Sequence, residues 1–101
     1  DGMGSAEMRR KVLKVRKLQS KRYAREDFKL NSSIFDNKIA KYCSFDREGE
    51  AFIEKAYKAL NLSPRSMVKI RKISRTIADL DESKEIKLKH ISEAIQFRQR
   101  W

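Results

Sequence analysis

Apolar side chains recur along the chain at spacings of three and four residues, which is typical of helices that bury one face. No segment shows the strict apolar and polar alternation, bounded by turn residues, that indicates a strand. The pattern therefore predicts an all-α protein. Its first helix is predicted over residues 6–25 and carries one narrow stripe formed by Met8, Val12, Val15, Gln19 and Tyr23. A helix with so little apolar surface depends on its neighbours for stability, and we interpret it as a connector.

A loop is predicted over residues 28–34, and it precedes the remaining helices. These are predicted over residues 36–43, 47–60, 64–80 and 89–98. We expect residues 1–29 to form the connector and residues 30–101 to form a compact bundle of about four helices.

Two helix starts have a clear chemical signature. Asp46 precedes the helix over residues 47–60 and is its predicted N-cap. In the segment Asn61-Leu62-Ser63-Pro64, Asn61 ends one helix and Ser63 caps the next. Pro64 then takes the first helical position, where its missing N–H costs nothing.

The positive charge is concentrated in two stretches of the chain. The sequence has 25 Lys and Arg against 14 Asp and Glu, a formal net charge of +11. Residues 1–29 hold ten cations and four acids, a net of +6, and residues 65–75 hold five cations and no acid, a net of +5. An anionic partner is one explanation of such charge, and a solvated helix face is the other.

The cations lie on defined sides of two helices. On the connector they follow helical spacing opposite the apolar stripe: Arg10, Lys14, Lys17, Lys21 and Arg25. On the helix over residues 64–80 they occupy the arc that the apolar side chains leave free, as one ridge of Arg65, Lys69 and Lys72 and a second of Arg71 and Arg75. We consider the connector cations, together with Lys69 and Lys72, a solvated face or a surface for nucleic acid or an acidic neighbouring subunit. Tyr23 is the only aromatic beside the connector cations, so stacking on single-stranded bases has little support.

Composition also bounds the chemistry of the chain. No apolar run approaches the length of a membrane span or a signal peptide. A single cysteine, Cys43, excludes an internal disulfide, and we expect a cytoplasmic protein with no membrane partner. Cys43 and His90 lack the spacing of a metal site, and we identify no catalytic residue. The three glycines, at positions 2, 4 and 49, cannot form a Walker A motif.

The helix over residues 64–80 also carries a family signature. Leu62-Ser63-Pro64-Arg65, followed by the run from Ile70 to Leu80 (IRKISRTIADL), resembles the C-terminal domain of magnesium-chelatase-related AAA+ ATPases of the ComM/YifB branch. Three further pieces match in order. They are Ser5-Ala6-Glu7-Met8-Arg9 with Val12 and Arg16; Leu30-Asn31-Ser32 with Tyr42-Cys43 and Asp46; and Ile86 with His90-Ile91, Glu93-Ala94-Ile95-Gln96 and Phe97-Arg98.

The resemblance implies a helical lid that packs over a nucleotide held by a preceding ATPase core. It places Arg65 at the position of the sensor 2 arginine, which reaches the γ-phosphate of ATP. The parent would bind ATP with Mg²⁺, assemble as a homo-oligomeric ring and act as a DNA motor in recombination or competence. This chain by itself would not be an enzyme.

Two alternatives remain open from the residues alone. Arg75 is a candidate for contact with phosphate or a neighbouring subunit, and a structural pair with Asp79, one helical turn later, is the other interpretation. The whole chain could also be a free-standing basic helical module that binds DNA.

Overall fold

A computed structural model describes residues 2–97, and the part described contains helices and no strand. The α-helices are α1 (Gly2–Arg22), α2 (Ile39–Tyr42), α3 (Arg47–Ala59), α4 (Pro64–Leu80) and α5 (Leu88–Phe97). Two short 3₁₀ helices, Asn31–Ser33 and Asp36–Lys38, lie between α1 and α2. The predicted all-α helical bundle is therefore confirmed. The predicted end of the last helix, at residue 98, lies outside the described residues.

The start of α4 agrees with its sequence signature. Asn61 has a φ of 52°, in the left-handed region that asparagine tolerates, and it ends the preceding helix. The Ser63 side chain accepts a hydrogen bond from the backbone N–H of Ser66 at 3.1 Å, and Pro64 is the first helical residue. Asp46 likewise caps α3, so local chemistry alone sets both helix starts.

The core lies between α4 and the elements that surround it. Ile70 and Ala78 of α4 are fully buried, as is Ile91 of α5. Gly49, in the first turn of α3, lets this helix approach α5 closely. A Cβ atom there would lie 2.8 Å from Cδ1 of Ile91 and 3.0 Å from Cβ of Phe45, so a larger residue would require these neighbours to shift.

The connector helix ends earlier than the sequence predicts. α1 stops at Arg22 and not at residue 25. The Tyr23 N–H still bonds to the carbonyl of Gln19, four residues back, whereas the N–H groups of Ala24 and Glu26 bond to carbonyls three residues back, so the chain passes into turns. Tyr23 is fully buried beside Phe28. The Lys29 ammonium donates hydrogen bonds to the carbonyls of Tyr23, Ala24 and Glu26 at 3.0–3.4 Å, which satisfies carbonyl groups just beyond the end of α1.

The two halves of α1 differ in packing. Val15 and Gln19 are buried against the bundle, whereas Met8 and Val12 are 64% and 42% exposed. The end of α1 thus belongs to the core of the bundle. The division into a connector over residues 1–29 and a bundle over residues 30–101 stays a prediction.

Candidate functional site

Arg65 lies in the first turn of α4, where the sequence places it. Its side chain is exposed and makes no hydrogen bond or ion pair within residues 2–97. The amides of Ser66 and Met67 already bond to Ser63, and Pro64 has no N–H. An anion at this helix start would therefore be bound mainly by the Arg65 guanidinium, assisted by the positive end of the helix dipole.

The other cations on the surface of α4 differ in their exposure and in the protein groups that they contact. Lys69 is exposed, one turn beyond Arg65, and Lys72 is half-buried with its ammonium 3.3 Å from the carbonyl oxygen of Ser32. Arg71 is bound by Glu50, with Nη2 to Oε1 at 2.6 Å. The hydrogen bond from Arg71 holds the pKa of the Glu50 carboxyl below its usual range.

Arg75 lies inside the protein, although the sequence places it on the outer arc of α4. Its side chain is 8% exposed and contacts Asp79 at 3.1 Å. Its guanidinium also donates to the backbone carbonyls of Ser83 and Lys84 at 3.0 and 3.2 Å. The predicted pair of Arg75 with Asp79 is present, and contact of Arg75 with phosphate or a neighbouring subunit stays a prediction. Arg65 and Arg75 are ten residues apart, about 15 Å along the helix, so they do not converge on one phosphate.

Asp79 is the charged centre of this part of the protein. Its side chain is fully buried and receives two hydrogen bonds from Arg22 of α1, at 2.7 and 2.9 Å. Burial alone would lower the pKa of the Arg22 guanidinium, but the hydrogen bonds and charges of Asp79 and Tyr23 together outweigh burial and raise it. This bidentate pair joins α1 to α4 across 57 positions of sequence. Nothing in the sequence pattern marked Arg22 as a member of the site.

Asn31 completes the same polar cluster. Its amide nitrogen donates to Asp79 at 2.9 Å and to Thr76 at 3.1 Å, and its amide oxygen accepts from Arg22 and Tyr23. Its backbone N–H bonds to the Gln19 side chain at 2.9 Å. The sequence predicts Asn31 as a turn residue, whereas the structure buries it with every polar group of its side chain paired. We call Arg22, Asn31, Arg75 and Asp79 the polar cluster.

The connector cations are exposed in the structure. Arg10, Lys17 and Lys21 lie on the surface of α1, and Lys14 pairs with Glu82 at 2.9 Å. Arg25 falls beyond the end of α1 because the helix stops at Arg22, so the helical stripe has four members and not five.

A groove of about 820 Å³ separates α1 from the loop between α4 and α5. Lys14, Lys17 and Lys21 line it together with Lys11 and with Lys84 of the loop. Arg22, Arg75 and Asp79 of the polar cluster border the same groove. The basic surface of the connector therefore faces a concave space and not only open solvent.

His90 and Cys43, the two titratable side chains considered above as metal ligands, are both buried in the protein. His90 is buried, and its Nδ1 accepts the backbone N–H of Lys87 at 2.9 Å, so Nε2 carries the proton donated to Asp81. That hydrogen bond holds the pKa of Asp81 below its usual range. Burial raises the pKa of the Cys43 thiol to about 11, so it stays protonated at neutral pH.

Within residues 2–97, no three side chains of the His, Cys, Asp and Glu types are grouped so that they could hold a metal ion. None of the helices in that range has both the length and the apolar character needed to cross a membrane.

The fold and these residues define the helical C-terminal domain of a magnesium-chelatase-related protein. Residues 2–98 match the family described as magnesium chelatase, subunit ChlI C-terminal, and the chain belongs to this family. Over 97 residues it is 39% identical to competence protein ComM of Haemophilus influenzae and 33% identical to the uncharacterized protein YifB of Escherichia coli. The predicted membership of the ComM/YifB branch is confirmed. The aligned region covers 96% of this chain and 18% of each of these relatives.

Proposed function

We propose that this domain is the nucleotide-sensing lid of an AAA+ ATPase. Arg65 would contact the γ-phosphate of ATP, which the ATPase core of the parent holds together with Mg²⁺. The observation that carries the proposal is the exposed, uncommitted Arg65 at the start of α4 in a chain of the magnesium chelatase family. A planar guanidinium forms two parallel hydrogen bonds to phosphate, which suits it to this role.

The polar cluster supports a mechanical role for the same domain. Arg22 at the end of α1 is held by the buried carboxylate of Asp79 in α4, and α4 also carries Arg65 at its other end. A displacement of α4 that follows phosphate contact would therefore move α1 with it. In this way the nucleotide state would change the geometry between the lid, the core and the neighbouring subunit of a ring.

The role of the parent is part of the same proposal. The relative from Haemophilus influenzae is named a competence protein, and competence involves the uptake and recombination of DNA. We infer that the parent is a cytoplasmic, ATP-driven DNA motor, and that the basic surface of this domain contributes to subunit contact. The alternative is a free-standing DNA-binding module. The net charge of +11 is compatible with this module, but it indicates an anionic partner of any kind and not DNA in particular.

The test of the sensor role is Arg65→Ala in the full-length parent. We expect ATP hydrolysis to fall by about tenfold or more, because the variant loses a charge-assisted contact to the transferred phosphate. Arg47→Ala is the matched control, since Arg47 is also exposed and begins another helix, α3. Unchanged hydrolysis and unchanged ring assembly in the Arg65 variant would refute the sensor role.

The alternative is tested by binding of this domain to duplex DNA over a range of salt concentrations. A steep loss of affinity, with a log–log slope of about −0.9 for each phosphate contacted, would favour the free-standing module. No binding at about 50 mM salt would leave the lid as the supported function.

A further inference from the structure

The groove between α1 and the loop joining α4 to α5 combines an apolar floor with a basic border. Its floor is apolar and is formed by Val15, Leu18 and Leu80. Seven cations and two carboxylates border it, a net of five positive charges. The lysines among these cations are Lys11, Lys14, Lys17, Lys21 and Lys84. We propose that this groove binds an acidic amphipathic helix of a partner protein.

The dimensions of the groove suit a helix. Its volume of about 820 Å³ lies in the range of well-formed binding clefts. The stretch of α1 from Lys11 to Lys21 is about 15 Å long, which corresponds to nearly three turns of a helix lying alongside it. An amphipathic helix would set its apolar side chains, repeated every three or four residues, on the floor, where Leu18 is 42% exposed.

Positive charge exceeds negative charge where the polar cluster borders the groove. Arg22 and Arg75 share the single carboxylate of Asp79, so one positive charge is left over there. Arg75 Nε is buried and has no hydrogen-bond partner in the described part of the chain. Glu82, the other acid that borders the groove, is already paired with Lys14. Carboxylates supplied by a partner would compensate this charge.

Two other occupants fit the groove less well. A second copy of the chain carries the same net charge of +11, and the two copies would repel each other. Duplex DNA would satisfy the lysines, but its phosphodiester backbone gains nothing from an apolar floor. An acidic helix with one apolar face matches both the charge and the floor.

This inference is separate from the sensor role of Arg65. Asp79, which borders the groove, lies 14 residues after Arg65, about 21 Å along α4. Nucleotide contact and partner binding would therefore occur at opposite ends of the same helix. Failure of one proposal would leave the other unaffected.

The experiment measures binding of a labelled synthetic peptide to the 101-residue chain by fluorescence anisotropy. The peptide is about 18 residues long, with leucines on one helical face and glutamates on the other. The chain variants are Leu18→Asp, in the groove, and Leu13→Asp, the matched control. Leu13 is 60% exposed on the same helix and does not line the groove. We expect Leu18→Asp to weaken binding by about tenfold and Leu13→Asp by less than about twofold.

Charge reversal provides the second comparison. Lys11→Glu with Lys17→Glu removes two groove cations, and Arg10→Glu with Arg16→Glu changes the net charge equally at exposed positions that do not line the groove. We expect at least about tenfold weaker binding from the lysine pair than from the arginine pair. Equal effects of the two pairs, or equal affinity for a scrambled peptide, would overturn the proposal. Loss of duplex DNA binding through Leu18→Asp would identify a nucleic-acid groove in its place.

Discussion

Removal of the Asp79 carboxylate is the most direct test of the polar cluster. In Asp79→Ala, two donors of Arg22 and one of Asn31 lose a common acceptor 2.7–2.9 Å away, and the Arg75 guanidinium loses the carboxylate with which it forms an ion pair at 3.1 Å. The carboxylate is fully buried, so protein donors and not water satisfy its charge. The variant would leave two arginines without a compensating charge.

The loss in free energy of unfolding depends on whether each arginine can reach solvent once the carboxylate is removed. Breaking a buried ion pair by removing one partner costs about 3–5 kcal/mol. The Arg22 side chain is 19% exposed and can turn partly to solvent, whereas Arg75 is 8% exposed and cannot. We therefore expect a loss near the lower end, about 3 kcal/mol, which is a large part of the 5–15 kcal/mol typical of a whole domain.

The assay is urea unfolding of the 101-residue chain, followed by far-ultraviolet circular dichroism at neutral pH. Glu82→Gln is the control, because it removes the exposed Lys14–Glu82 pair and should cost less than about 1 kcal/mol. If Asp79→Ala does not fold, Asp79→Asn is measured instead, since it keeps one acceptor oxygen while it removes the charge. A loss no larger than that of Glu82→Gln would refute the reasoning.

Two further predictions concern α3. Gly49→Ala should lower the free energy of unfolding by about 1–2 kcal/mol, because strain from a methyl group placed 2.8 Å from Ile91 Cδ1 exceeds the gain in helix propensity. A melting temperature of Gly49→Ala equal to or above that of the unmutated 101-residue chain would contradict this prediction. Glu50→Gln should remove a pH-dependent contribution. The hydrogen bond from Arg71 lowers the folded pKa of Glu50 from its ordinary 4.5, so its stabilisation is present above that value and is lost as the pH falls through the lowered pKa. The difference in melting temperature between the two proteins should therefore shrink on acidification, and a difference that does not change with pH would disprove the assignment.

Helix starts and helix class are predictable from short stretches of this sequence. The Ser63 and Asp46 caps each bond to an amide three residues later, so both partners lie in the same few residues. Pro64 fixes its own backbone angle. These interactions need no tertiary structure, which is why the boundaries of α4 agree with the prediction.

The position of Arg65 in the first turn of α4 could also be predicted from the sequence, through the helix start and the family resemblance. Its exposure required the structure. The end of α1 was predicted three residues too late, since Tyr23 continues the helical spacing whereas the backbone after it forms turns and packs Tyr23 beside Phe28. A periodic pattern records which residues are apolar, and the packing decides where the helix carrying them stops.

The sequence alone determined the all-helical class, the caps and the two basic stretches, because each depends on neighbours within about one helical turn. Only the tertiary structure decided which of those charges are buried. Arg22 meets Asp79 across 57 positions and Asn31 meets it across 48, and no local pattern marks such partners. The groove has the same origin, because its lysines come from α1 and from the loop after α4. Buried charges need partners, and the folded chain alone brings those partners together.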